Sequence, residues 1–78
     1  IRMRDGRGFE GTGPQIVRSM QDVAFGVDAF TTGEYVAWVV RNAQDLEGVK
    51  LDVRGETDDE LALDLVQQMV SAGLAVRA

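Results

Sequence analysis

The sequence predicts an α+β domain, a small two-layer arrangement in the order β-β-α-α-β-α-β, with three helices covering a mixed sheet. Three observations lead there. Three helix-start signals of one kind recur along the chain, a strictly alternating segment lies between the second and third helices, and a glycine-rich N-terminal stretch has the pattern of a hairpin. The 78 residues are 45% apolar and 27% charged, a globular composition that makes residues 1–78 a single domain near the lower size limit for one core.

The N-terminal segment holds Met3 and Phe9 on either side of Asp5-Gly6-Arg7. If the two flanks pair as a hairpin, Met3 and Phe9 should share one face, which excludes a two-residue Asp5-Gly6 turn. Placing Met3 opposite Phe9 leaves a three-residue loop, Asp5-Gly6-Arg7, or a five-residue one, Arg4 to Gly8, and sets Arg2 against Glu10. The same stretch, Gly6-Arg7-Gly8-Phe9-Glu10-Gly11, reads as G-x-G-x-x-G. A dinucleotide site would need a buried apolar strand before the first glycine and a helix opening inside the motif. Ile1-Arg2-Met3-Arg4 is too charged for that strand, so the glycines are assigned to the turn.

Each helix begins at a Thr followed three residues later by Gln or Glu: Thr12 and Gln15, Thr31 and Glu34, Thr57 and Glu60. In this capping box the hydroxyl accepts from the amide three residues on, and the longer side chain accepts from the amide of the Thr. Gly26, Gly48 and Gly73 stand where left-handed residues end helices. Helices are expected at 13–25, 32–47 and 58–72. Phe25, Val27 and Phe30 are expected to pin the joint between the first two.

Residues 49–54 alternate, with Val49, Leu51 and Val53 on one side, and predict a half-buried strand. Residues 74–77 repeat the pattern after Gly73. A strand, helix, strand order predicts a right-handed crossover between parallel neighbours.

For chemistry the chain has few means. It holds neither His nor Cys, and its serines, Ser19 and Ser71, fall inside predicted helices, so no nucleophile and base pair can be assembled in the familiar way, which leaves only mechanisms of carboxylates, alone or with Lys. No enzyme activity and no cofactor are expected. The run Glu56-Thr57-Asp58-Asp59-Glu60, with Asp64 beyond it, lacks the alternating ligands, the sixth-position Gly and the twelfth-position Glu of a calcium loop, and its acids suit the first turn of a helix. No metal site is assigned. A net charge of −5 disfavours nucleic acid as a partner. No apolar run reaches the length of a bilayer and no basic-then-apolar leader opens the chain, so no membrane partner is expected; with no Cys, the expected setting is a bacterial-type cytosol. A start at Ile1 instead of Met is what a chain with residues upstream would show.

Apolar residues exceed what one core needs. On the second helix Val36, Val39, Val40, Ala43 and Leu46 make a core stripe with Tyr35 at its edge and Trp38 displaced from it. On the third, Leu61, Leu65, Met69 and Ala72 make a stripe that Leu63, Val66 and Val70 widen to an arc of about 200°. Tyr35, Trp38, Leu63, Val66 and Val70 are therefore expected to form a protein–protein interface, in a homo-oligomer or as a subunit of a larger assembly. The alternative is a small-ligand or anion site at the entrance to the first helix, built from Arg7, Gly11, Thr12 and Gly13.

Overall fold

The computed structural model describes residues 1–24, 26–27 and 29–77. The elements run β1 (Arg2–Met3), α1 (Gly13–Val23), α2 (Thr32–Glu47), α3 (Asp58–Ser71) and β2 (Ala75–Val76). The helices dominate, with 11, 16 and 14 residues, and the strands hold two residues each. The protein is thus mostly helical. The expected mixed sheet under three helices, in the order β-β-α-α-β-α-β, is absent from the described residues and is replaced by a two-stranded antiparallel pair.

The helix starts follow the Thr signals. At Thr12 and Thr31 both halves of the capping box form: the Gln15 and Glu34 amides donate to the Thr hydroxyls at 3.3 and 3.2 Å, and the Thr amides donate to the Gln15 and Glu34 side chains at 2.9 Å. At Thr57 only the hydroxyl half forms, from the Glu60 amide at 3.2 Å, while the Glu60 carboxylate accepts from the amide of Glu56. The end of α3 is a Schellman turn, in which Leu74 N–H donates to Met69 C=O and Gly73 N–H to Val70 C=O. Helix α1 stops at Val23 instead of 25. Past it, the Gln21 side-chain amide donates to the carbonyls of Val27 and Phe30, both at 2.8 Å, and this holds the joint to α2. Val27 is buried there and Phe30 is exposed, while Phe25 lies outside the described residues.

Helix α3 packs against both α1 and α2, which touch each other less. Its Ala62, Leu65 and Met69 are almost wholly enclosed, together with Val17 and Met20 of α1 and Tyr35, Val36 and Ala43 of α2. The approach to α1 is tight at Gly13, whose position would set a Cβ 2.6 Å from Leu63 Cα. Only a residue without a side chain fits there.

The expected strand at 49–54 is not one. Its burial does alternate: Leu51 is 4% exposed, Val49 and Val53 are half-buried, and Lys50, Asp52 and Arg54 face out. Yet it pairs with no strand among the described residues. The segment is an extended arm laid over the helices, fastened at one end by the Val49 amide on Ala43 C=O and at the other by the Arg54 amide on the Asp64 carboxylate at 2.8 Å. Alternation registers a chain with one side on an apolar surface, and a sheet is only one such setting.

The N-terminal hairpin forms in a different register from the expected one. Arg2 bridges Gly8, and Phe9 N–H donates to Ile1 C=O and Met3 N–H to Arg7 C=O, both at 2.8 Å. The loop is Arg4-Asp5-Gly6. A three-residue loop of this kind needs a left-handed residue in third place, and Gly6, at φ +93°, supplies it where Arg7 would be strained. The shift preserves parity, so Met3 and Phe9 still share the half-buried face, but Arg2 no longer meets Glu10. Strand β2 then pairs antiparallel with β1, Arg2 opposite Val76 and Met3 opposite Ala75, in place of the expected parallel crossover. Among the described residues no helix is long and apolar enough to cross a membrane.

Candidate functional site

Among the described residues two grooves stand out, and the residues singled out in the sequence line one or the other, except Arg7 and Val70, which line neither. The first, about 470 Å³, lies between the hairpin, α2 and the end of α3. All three methionines of the chain, Met3, Met20 and Met69, line it, and α2 contributes Tyr35 and Trp38 as its aromatic wall. The two rings stack with centroids 5.7 Å apart and planes 25° from parallel, an arrangement that a separation of three residues on one helix face permits. Arg4 reaches over one end. Its guanidinium donates to Glu47 at 3.3 Å and to Gly73 C=O at 3.2 Å, tying the hairpin loop to the end of α2 and to the turn before β2.

Tyr35 is 3% exposed, and burial pushes its hydroxyl up to about 12. That hydroxyl makes no hydrogen bond to a described residue. Leu46 stands at the rim, 79% exposed. The sequence reading put it in the core stripe of α2; the helix continues a turn past Ala43, the last residue of α2 that is buried, and leaves Leu46 outside.

The second groove, about 620 Å³, is lined by Glu10, Gly11, Thr12 and Gly13 on one side and by Leu63 and Val66 of α3 on the other. Here the proposed anion entrance and half of the proposed interface are neighbours. Arg7 is not among the lining residues: it faces Asp5 across 3.5 Å in the hairpin loop, and Arg77 takes its place. The entrance has little to offer an anion. The amides of Thr12 and Gln15 are used by the capping box, Pro14 has none, and Gly13 is buried against Leu63.

The five interface residues therefore do not form one patch. Tyr35 and Trp38 belong to the first groove, Leu63 and Val66 to the second, and Val70 lines neither. Val66, at 5% exposed, and Tyr35 are core residues of a single chain, Trp38 and Val70 are half-buried, and Leu63 is 48% exposed. The wide arc of α3 is explained mainly by its position between two helices. What the sequence did not disclose is the methionine lining, because Met3, Met20 and Met69 come together only through the tertiary fold.

Of the acidic side chains of residues 56–64, Glu60 and Asp64 accept hydrogen bonds that fasten local structure. Glu60 accepts from Glu56 N–H and from the Thr57 hydroxyl, and Asp64 from Arg54 N–H. Among the described residues no group of three Asp or Glu side chains could hold a metal ion. Compared with protein-family models, with curated proteins and with solved structures, the chain matches none.

Proposed function

We propose that this protein is a non-catalytic interaction module, and that the Tyr35–Trp38 groove is where it takes hold of an apolar segment of another polypeptide in a cytosolic setting. The observation that carries this reading is an apolar trough whose accessible surface comes from Met3, Trp38, Val39 and exposed Leu46, over a floor of buried Met20, Met69 and Tyr35. Methionine side chains are flexible and polarisable and adapt to varied apolar partners, and aromatic residues dominate binding energy at interfaces. The groove has the volume of a small-molecule site, but it is open along its length, and its rim charges Arg4 and Glu47 already satisfy each other. A chain segment that brings its own cover suits it better than a small ligand does.

Selection of helical peptides from a random library against sparsely immobilised protein tests the reading. Enriched peptides should carry apolar residues three or four apart, and their affinity should fall at least about thirtyfold for Trp38→Ala, the loss of one interface anchor. No enrichment, or binding indifferent to Trp38, would overturn it.

A further inference from the structure

We infer that the occupant of the groove is a second copy of this chain, with α2 packed antiparallel on α2 about a two-fold axis at Asn42, so that Leu46 of each copy enters the Tyr35–Trp38 groove of the other. The inference rests on the groove being a docking surface, as proposed above, and adds the partner and the geometry. A two-fold contact requires that knob and hole lie on the same surface and exchange under the rotation. On α2 they do. Trp38 and Leu46 stand four residues before and four after Asn42, all three line the groove, and each is about 6 Å along the helix from the axis. An antiparallel pairing centred on Asn42 brings Leu46 of one copy over Trp38 of the other, twice.

Two further features of α2 fit this arrangement. Asn42 is half-buried and its side chain makes no hydrogen bond to a described residue. A carboxamide is both donor and acceptor, so two of them meeting at a dyad satisfy each other and fix the register. Along the exposed flank, Arg41 and Asp45 lie one turn apart and neither forms an ion pair among the described residues. Antiparallel packing sets Arg41 of each copy on the same flank as Asp45 of the other, where the two charges are complementary. The net charge of −5 on each copy opposes association, but charges farther apart than about 8 Å are screened at physiological salt, so the short-range apolar contact decides.

The chain has no cysteine, which makes a direct test clean. Light scattering of the full chain should report a dimer. Asn42→Cys should then oxidise to a disulfide-linked dimer, because the two positions meet at the axis, whereas Gln44→Cys, about 200° around the same helix, should not. Leu46 is exposed in the single chain, so Leu46→Asp should weaken the dimer at least about thirtyfold while the helical circular dichroism stays unchanged. Arg41→Asp should weaken it as well, and Arg41→Asp combined with Asp45→Arg should restore it. A dimer that survives Leu46→Asp and fails to cross-link at 42 overturns the geometry. A chain that stays monomeric at the highest concentration that remains clear overturns the second copy as occupant; if it still binds selected peptides through Trp38, the interaction reading stands without it.

Discussion

At the scale of single residues, Gly13 is tightly constrained by the fold. Sequence alone offers it as a flexible helix entrance suited to an anion, but it is buried, and what it provides is the absence of a side chain where α1 meets α3. A Cβ built there lies 2.6 Å from Leu63 Cα and 3.1 Å from its Cβ and Cδ1. Gly13→Ala has a helix-propensity gain of at most about 1 kcal/mol to set against separating two helices, and overpacking of this kind costs about 1–3 kcal/mol. Because the nearest atom is backbone, the helices themselves must move. The expected outcome is a net loss of about 2 kcal/mol in a denaturant titration, not recovered in the double variant Gly13→Ala, Leu63→Ala. Recovery by trimming Leu63 would show that the conflict is with the side chain alone and that the two helices have room.

At the scale of elements, all three helices were legible because their signals are local: a Thr, a partner three residues on, and an apolar period. Only α1 and α3 ended short of expectation, by two residues and by one. The places of β1 and β2 were legible but their pairing was not, because period-two alternation reports a chain with one wet side and does not name what lies on the dry side. Residues 49–54 met that pattern by resting on helices, and β2 found its partner at the far end of the chain. For the same reason Tyr35 and Trp38 could be picked from the sequence while the methionines around them could not. The distinction is measurable. The amides of Lys50, Leu51, Asp52 and Val53 donate to no described residue, although Leu51 is buried. In hydrogen exchange these four should exchange rapidly while the amides of Ala62 to Met69 in α3 exchange only on global unfolding. Strong protection alternating along 50–53 would mean that the arm pairs as a strand after all.

On the scale of the whole molecule, the small antiparallel pair matters out of proportion to its length, because it joins segments more than seventy residues apart over the helices. Met3 and Ala75 are cross-strand neighbours, and Leu74 and Ala75 are buried in the same cluster as Met20, Tyr35 and Met69. Arg4 adds a second tie across the same seam, although a charge pair this exposed contributes at most about 1 kcal/mol. If β1 and β2 are part of the core, damage to them should bring down the helices as well. Ala75 is 2% exposed, and Ala75→Glu places a carboxylate in a core that holds no buried charged side chain among the described residues. A domain of this size has a total stability of about 4–12 kcal/mol, and an uncompensated buried charge removes about 3 kcal/mol or more of it. Trp38 fluorescence, which reports the groove, and helical circular dichroism, which reports α1 to α3, should then fall together in one transition at a lower temperature. Were the strands a detachable flap, Trp38 would become exposed first while the helical signal kept its original midpoint. The groove would then depend on a movable hairpin instead of a wall fixed by the fold.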